Sequence, residues 1–310
     1  MSREQDFITR LAAFAHNPAA RGLRDDVAVL PFGDRALVLT HDMIVEGIHY
    51  LPGDAPEDVA WKLVAVNLSD LAAKGARPRG VLLGYPLAPD KAWDNAFAAG
   101  LETVLAAFGV PLLGGDTVAP PMGARQLGLT AIGESTGAVP ARSGARAGDI
   151  LYVTGSIGAA GLGLAMARGT PGGAAAWLKA YRRPVPRLRE GQALAPIVHA
   201  MADISDGLLI DAGRIAGASG LAIEIDLAAV PLPEGAPGDR AARLAATTAG
   251  DDYELLFAAP AGLTFPQPGF AKISPVGRFT VGQGLTLVDG GDAVPLPDRL
   301  GYEHDAPPAS

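Results

Sequence analysis

Short segments that end in aspartate recur along the 310-residue sequence. The segments LTHD (39–42), NLSD (67–70), GGD (114–116) and DISD (203–206) share this pattern, and two aspartates stand together at 25–26. Carboxylates that a fold brings to one point must bind hard cations or repel one another. Mg²⁺ accepts one or two carboxylates and fills its other positions with water and phosphate oxygens. The pattern therefore predicts a site for Mg²⁺ and a phosphate-bearing ligand.

The segment ADISDGLLID (202–211) places three aspartates, Asp203, Asp206 and Asp211, in an otherwise apolar run. Burial of an unpaired carboxylate is costly, so a partner or a cation is expected there. Any one aspartate also suits a turn or a helix N-cap, and for single residues that interpretation stays open. The repeated pattern favours the metal interpretation for the set as a whole.

Other chemistries find less support in the sequence. No G-x-x-x-x-G-K-[ST] motif occurs, which excludes a P-loop. The glycines of VTGSIGAAGLG (153–163) lack the G-x-G-x-x-G spacing, which favours close helix–strand packing over a dinucleotide site. His41 and His49 lie eight residues apart without an H-E-x-x-H motif, so zinc is a weak alternative. Ser69 and Ser205 directly precede aspartates, but a serine hydrolase is a weak alternative as well.

Composition narrows the class of protein further. A formal net charge of −8 disfavours a nucleic-acid partner and suits a protein that holds cations. The absence of cysteine excludes disulfides and Cys-ligated zinc, and it agrees with a cytoplasmic location. We expect neither a signal peptide nor a membrane partner, because no uncharged apolar run of about 18 residues is present.

Strand and helix patterns alternate along the chain and predict an α/β or α+β fold with two domains. A Gly-, Pro- and Arg-rich connector at 137–149 predicts the boundary, giving domains 1–138 and 139–310. Predicted helices cover 4–15, 56–76, 93–109, 159–168, 191–201 and 206–220; predicted strands cover 25–30, 36–42, 79–87, 125–135, 150–155, 221–227 and 251–260.

Taken in their order along the chain, the aspartate-containing segments resemble those of the thiamine-monophosphate kinases, and the resemblance covers nearly the whole chain. This family lies in the superfamily of aminoimidazole ribonucleotide synthetase and selenophosphate synthetase, and VEGIHY (45–50) with DDYELLF (251–257) favours the thiamine branch. The resemblance implies direct in-line transfer of the γ-phosphoryl group from ATP to thiamine monophosphate, assisted by several Mg²⁺ ions. It also implies an N-terminal mixed-sheet domain that binds ATP and Mg²⁺ and pairs across a homodimer, and a C-terminal α/β domain.

The resemblance assigns roles to individual residues. The implied Mg²⁺ ligands are Asp26, Thr40, His41, Asp42, Asp70, Asp116, Asp203 and Asp206. The implied nucleotide contacts are Gly115, Asp116, Arg142 and Ser205, and the implied acceptor contacts are His49, Asp251 and Tyr302. Asp42, Asp70, Asp206 and Arg142 would then act through charge and positioning, without a general base. Asp211 matches no metal position and is expected on the solvated side of its helix.

Four residues depart from the family pattern. His41 stands where Thr or Ser is usual, which leaves open whether its side chain or its carbonyl is a ligand. Arg24 replaces a glycine, and Lys74 replaces a methionine with little expected effect. Asp251 replaces a glutamate and is one methylene shorter. Two alternative functions stay open: a sister ATP-dependent synthetase or ligase with another acceptor, and a nucleotide-binding maturation protein without turnover.

Overall fold

The computed structural model describes residues 3–121, 123–265 and 269–303. The chain begins with helix α1 (Arg3–Ala12) and a 3₁₀ segment (Pro18–Leu23). Two mixed β-sheets of five and seven strands follow, and each carries helices on a hydrophobic core. This architecture confirms the predicted two-part α/β fold class. The predicted boundary at residue 138 lies in the loop that joins the two sheets.

The first sheet comprises β1 (Ala28–Phe32), β2 (Arg35–Val45), β3 (Arg77–Pro86), β4 (Leu112–Val118) and β5 (Gln126–Ser135). Its strand order is β1-β2-β5-β3-β4, and only β3 and β4 are parallel. Helices α2 (Pro56–Ala73) and α3 (Lys91–Phe108) pack against each other, and α2 packs on β2 and β5. Gly109 ends α3 in the left-handed region at φ 63°, as the sequence predicted.

The second sheet comprises β6 (Ile150–Thr154), β7 (Ala200–Asp203), β8 (Ala222–Asp226), β9 (Leu255–Ala259), β10 (Ile273–Thr280), β11 (Gly284–Asp289) and β12 (Asp292–Val294). Its order is β12-β11-β8-β10-β6-β9-β7, and only β8 and β11 are parallel. The helices are α4 (Ala159–Ala167), α5 (Ala175–Arg182), α6 (Leu188–Leu194), α7 (Leu208–Ser219) and α8 (Arg240–Thr248). Leu208, Leu209, Ala212 and Ile215 give α7 a buried stripe with helical spacing.

Helix α2 joins the two halves of the molecule. It packs on β2 and β5 of the first sheet and also on α6 and β7 of the second half. Small and branched apolar residues let it be buried on nearly every side, and it carries Lys62 and Asp70 into the interior. Among the described residues, no helix is both long and apolar enough to cross a bilayer.

One helix prediction needs correction. The helix predicted over 191–201 ends at Leu194, and β7 begins at Ala200, because Pro196 cannot continue the helix. The similar NLSD and DISD segments take different local structures, since NLSD lies inside α2 whereas DISD joins β7 to α7.

The glycines of 153–163 serve packing, as predicted. A Cβ on Gly158 would lie 2.5 Å from the Cβ of Ala246, and one on Gly163 would lie 2.0 Å from the carbonyl oxygen of Trp177. Residues 133–137, at the end of β5, have the G-x-S-x-G spacing that serine hydrolases use at the nucleophile. They lead into a loop rather than a helix, so they lack the strand–turn–helix context of a hydrolase elbow.

Candidate active site

Residues from both halves of the chain line a cavity of about 690 Å³. It collects ten of the residues assigned by sequence: Asp26, Asp42, His49, Asp70, Arg142, Asp203, Ser205, Asp206, Asp251 and Tyr302. Carboxylates dominate one region, where α2, the end of β7 and the loop before β1 meet. His49, Asp251 and Tyr302 come from loops outside the strands and helices.

Three of the aspartates form a compact cluster. Asp26, Asp70 and Asp203 each offer a carboxylate oxygen, and these oxygens lie within 4.8 Å of one another. The hydroxyl of Thr40 donates a hydrogen bond to Asp70, and the hydroxyl of Ser69 donates one to Asp203. The NLSD and DISD segments therefore meet through a direct side-chain contact. Hard oxygen donors at this spacing fit a divalent cation such as Mg²⁺.

Asp42, Asp70 and Asp203 form the part of the site that resists ionisation. Burial, aided by the charge of Asp26, raises the pKa of Asp42 to about 6 and that of Asp203 to about 8. The pKa of Asp70 also rises well above its usual range, through burial and then the charges of Asp42 and Asp203. Within the described part of the chain, no lysine or arginine forms an ion pair with these three residues. A bound cation would favour their ionised forms.

Asp25 and Asp26 have protein cations beside them. The buried Nζ of Lys74 lies 2.5 Å from Oδ1 of Asp25 and 2.6 Å from Oδ2 of Asp26. Arg142 also pairs with Asp26. Burial alone would raise the pKa of Asp26, but Lys74 and Arg142 hold it well below the usual range. The expectation that Lys74 has little effect stays a prediction, but its charge lies beside Asp26, one of the implied metal ligands.

Asp211 does not lie on the solvated side of α7, contrary to the sequence-based expectation. Its side chain is 1% exposed and accepts hydrogen bonds from the backbone N–H groups of Asp206 and Gly207. Arg214 lies 2.5 Å from Asp206 and 2.7 Å from Asp211. Burial raises the pKa of Asp211 to about 6, although Arg214 opposes that rise. Asp211 thus fixes the turn that presents Asp206.

Two neighbouring loops meet at the DISD turn. The N–H of Asp251 donates to the carbonyl of Ser205 at 2.7 Å, and that of Tyr302 donates to the carbonyl of Asp206 at 2.9 Å. Asp251 and Tyr253 have φ values of 64° and 51°, a strained conformation for residues other than glycine. The turn therefore positions two of the three implied acceptor contacts.

Lys62 connects the remaining implied acceptor contact to this group. Its Nζ lies 2.7 Å from Oδ2 of Asp251 and donates to the carbonyl of His49 at 2.7 Å. The hydroxyl of Tyr253 donates to Oδ1 of Asp251 at 3.1 Å. Lys62 is not among the residues predicted from the sequence, although a lysine within the apolar stretch of α2 was the available signal.

Three assigned residues lie apart from the cavity. His41 follows Thr40 and precedes Asp42 on β2, so its side chain points to the opposite face of the sheet, where Nδ1 lies 2.9 Å from Oγ1 of Thr130. Gly115 and Asp116 lie on β4, which is exposed along its length. A Cβ on Gly115 would lie 2.0 Å from the carbonyl oxygen of Leu83, so strand packing alone explains that glycine. The roles given to these residues stay predictions.

Comparison with known proteins identifies the family. The model of the AIR synthase related protein N-terminal domain matches residues 24–135, and that of the C-terminal domain matches residues 146–295. The thiamine-monophosphate kinase of Caulobacter vibrioides is 40% identical, over 97% of this chain and 90% of its own length. The chain belongs to the thiamine-monophosphate kinase family. The Escherichia coli K12 member of this family is 36% identical, over 93% of this chain and 92% of its own length.

Solved structures of the family share the fold. AaThiL complexed with AMPPCP and TMP superposes with a TM-score of 0.83 at 27% identity, covering 96% of each chain. Thiamine-monophosphate kinase from Stenotrophomonas maltophilia superposes with a TM-score of 0.74 at 33% identity, covering 93% of this chain and 96% of that one. The hydrogenase maturation protein HypE of E. coli is similar in fold, with a TM-score of 0.70 at 21% identity and 99% of each chain covered.

Proposed function

We propose that the protein transfers the γ-phosphoryl group of ATP to thiamine monophosphate, forming ADP and thiamine diphosphate. Family membership supports this activity, and so does the AaThiL complex with TMP and the ATP analogue AMPPCP. The observation that carries the proposal for this chain is the shared cavity. It joins a carboxylate cluster suited to Mg²⁺ with the implied acceptor contacts His49, Asp251 and Tyr302.

The acceptor is itself the nucleophile in this reaction. A phosphate monoester is mostly dianionic near pH 7, because its second pKa is about 6. One of its oxygens bonds to the γ-phosphorus as the bond between that phosphorus and the oxygen of ADP breaks, in line with the attack. No general base is needed. The obstacle is repulsion between two anions, about 4 kcal/mol for unit charges 4 Å apart at an effective dielectric constant near 20.

The acidic region would hold Mg²⁺ through Asp26, Asp42, Asp70 and Asp203, with Asp206 and Thr40 beside them. When bound, Mg²⁺ supplies positive charge that offsets this repulsion. Arg142 would contact the nucleotide phosphates together with Ser205. Burial works against its charge, but Asp26 raises the pKa of Arg142 above the usual value and keeps it cationic. Asp42, Asp70 and Asp206 are ligands in this proposal rather than bases.

The exposed edge strand of the first sheet suits a second copy of the chain. The edge strand β4 is exposed throughout, and Leu113 and Val118 on it are 55% and 51% exposed. Exposed apolar side chains on an unpaired edge favour association with another chain. We propose the homodimer that the family resemblance implies.

We expect Val118→Glu to convert the dimer to a monomer, because it places a charge on the apolar edge strand. The melting temperature of the monomer itself should not fall, because Val118 is half exposed. Sedimentation velocity over a concentration series measures this. Dimerisation of the variant at the wild-type concentration would argue against β4 as the interface.

We expect His41→Thr to change kcat by no more than about twofold, since the His41 side chain faces Thr130 across the sheet and away from the cluster. Steady-state kinetics at saturating Mg²⁺ test this. A loss of tenfold or more, on the order of 1.4 kcal/mol, would return His41 to the set of metal-site residues.

Incubation with ATP, Mg²⁺ and thiamine monophosphate tests the proposed function directly. Formation of thiamine diphosphate supports it, and ADP formed only with a different acceptor would favour a sister synthetase or ligase. ATP binding without turnover on any acceptor would favour a maturation role, for which the fold likeness to HypE is the single supporting observation.

A further inference from the structure

Lys74 follows the last residue of α2 and is fully buried. Three oxygen atoms surround its Nζ: Oδ1 of Asp25 at 2.5 Å, Oδ2 of Asp26 at 2.6 Å and the carbonyl oxygen of Met201 at 3.0 Å. The ammonium donates a hydrogen bond to the carbonyl of Met201 and forms ion pairs with both carboxylates, while Oδ2 of Asp26 has no hydrogen-bond partner among the described residues. The oxygens come from both halves of the chain. The same is true of the acidic cluster, which comprises Asp26, Asp42, Asp70 and Asp203.

Some carboxylates of the site have lysine or arginine partners, and others do not. Asp25 contacts Arg21 as well as Lys74, and Asp26 contacts Arg142 as well as Lys74. The two carboxylates of this pair are therefore matched by protein cations. Asp70 and Asp203, whose oxygens lie within 4.8 Å of one from Asp26, have hydroxyl partners in Thr40 and Ser69.

We propose that the Lys74 ammonium is a resident cation of the metal site, taking the place that a metal ion would otherwise occupy between Asp25 and Asp26. Divalent ions are then needed only beside Asp42, Asp70 and Asp203. This inference rests on the proposed function to the extent that the acidic cluster is a Mg²⁺ site.

The proposal predicts how the site responds when the ammonium is removed. Lys74→Met keeps a long unbranched side chain but removes the cation that Asp25 and Asp26 share, which leaves Arg21 beside Asp25 and Arg142 beside Asp26. In EDTA we expect the melting temperature of this variant to fall by roughly 5–10 °C, because one partner of a buried ion pair has been removed. Excess Mg²⁺ should restore most of that loss. Titration calorimetry with MgCl₂ should show about one more bound ion per chain than in the wild type.

Lys62→Met is the matched control. Lys62 is also buried and also paired with an aspartate, but its partner Asp251 lies outside the three-aspartate cluster. This variant should lose stability in EDTA without added recovery in Mg²⁺. If Lys74→Met does not fold, Lys74→Met combined with Asp25→Asn replaces it. That double variant should melt close to the wild type in EDTA and bind no additional Mg²⁺.

The outcomes separate this inference from the proposed function. Equal Mg²⁺ stoichiometry in wild type and Lys74→Met, with no Mg²⁺-dependent recovery, overturns the role of Lys74 alone. A Lys74→Met/Asp25→Asn variant as unstable as Lys62→Met also overturns it. A wild type that binds no Mg²⁺ overturns both this inference and the metal part of the proposed function. Thiamine diphosphate formation by the wild type, measured separately, tests the kinase activity whatever Lys74 does.

Discussion

Asp42→Asn is expected to lower kcat by at least about 100-fold, the scale of losing one preorganised electrostatic group. Asp42 is half-buried beside Asp26 and Asp70, and its backbone N–H donates to Oδ1 of Asn67 at 2.9 Å. The amide keeps the shape of the side chain but removes the negative charge that would hold Mg²⁺. Asp206→Asn should have an effect of the same size, since Asp206 also lines the cavity.

Asp34→Asn is the matched control for both substitutions. Asp34 lies in the β1–β2 turn with its side chain 91% exposed, so the same chemical change there should leave kcat unaltered. Measurement of kcat over a Mg²⁺ series distinguishes a weakened metal site from a lost one. Near wild-type rates at saturating Mg²⁺ in both variants would count against the metal-cluster proposal.

The second large effect concerns stability and pH. In EDTA we expect the melting temperature to be lower at pH 8 than at pH 6 by at least about 5 °C, corresponding to at least about 2 kcal/mol. Burial raises the pKa of Asp203 to about 8 and that of Asp42 to about 6. Excess Mg²⁺ should reduce this difference, because a bound cation favours the ionised carboxylates.

The direction follows from proton binding. An aspartate whose pKa is raised by folding keeps its proton where the unfolded chain has already lost it. Its contribution to stability is complete below about pH 4 and is lost as pH rises through the folded pKa. Asp26 shifts the opposite way, and its contribution has saturated by pH 6. Scanning calorimetry at both pH values, with EDTA and with Mg²⁺, measures the difference.

Asp252 provides the control for this experiment. Burial raises the pKa of Asp252 to about 8 as well, but its carboxylate accepts from the N–H of Gly158, and it does not line the cavity. Asp252→Asn should weaken the pH dependence equally in EDTA and in Mg²⁺. A Mg²⁺ effect that disappeared in Asp252→Asn would contradict the assignment of the effect to the acidic cluster.

The sequence was sufficient to predict most of the acidic cluster. Asp42 and Asp70 each end one of the recurring segments and Asp203 begins another, and the structure brings all three to one cavity. The alternation of side chains along a strand also separates His41 from Thr40 and Asp42, so that placement was accessible from sequence.

The buried counter-charges were not accessible in this way. A lysine at the end of a helix is usually solvated, and nothing local marks Lys74 as the partner of Asp25 and Asp26, some fifty residues earlier. The predicted position of Asp211, on the solvated side of its helix, was wrong for a related reason. Its partners are backbone N–H groups of the preceding turn, which only the folded geometry reveals.

Helix α2 also fixes the distance between Lys62 and Asp70. Lys62, which contacts the implied acceptor residues His49 and Asp251, and Asp70, which belongs to the acidic cluster, are eight residues apart on this one buried helix. At a rise of 1.5 Å per residue their backbones are about 12 Å apart, and a helix packed on both sides cannot stretch. One inserted residue between them would lengthen the span and turn Asp70 by about 100° relative to Lys62. Under the proposed function, an acceptor would have to match this fixed span, so that its length would be a basis for selecting substrates.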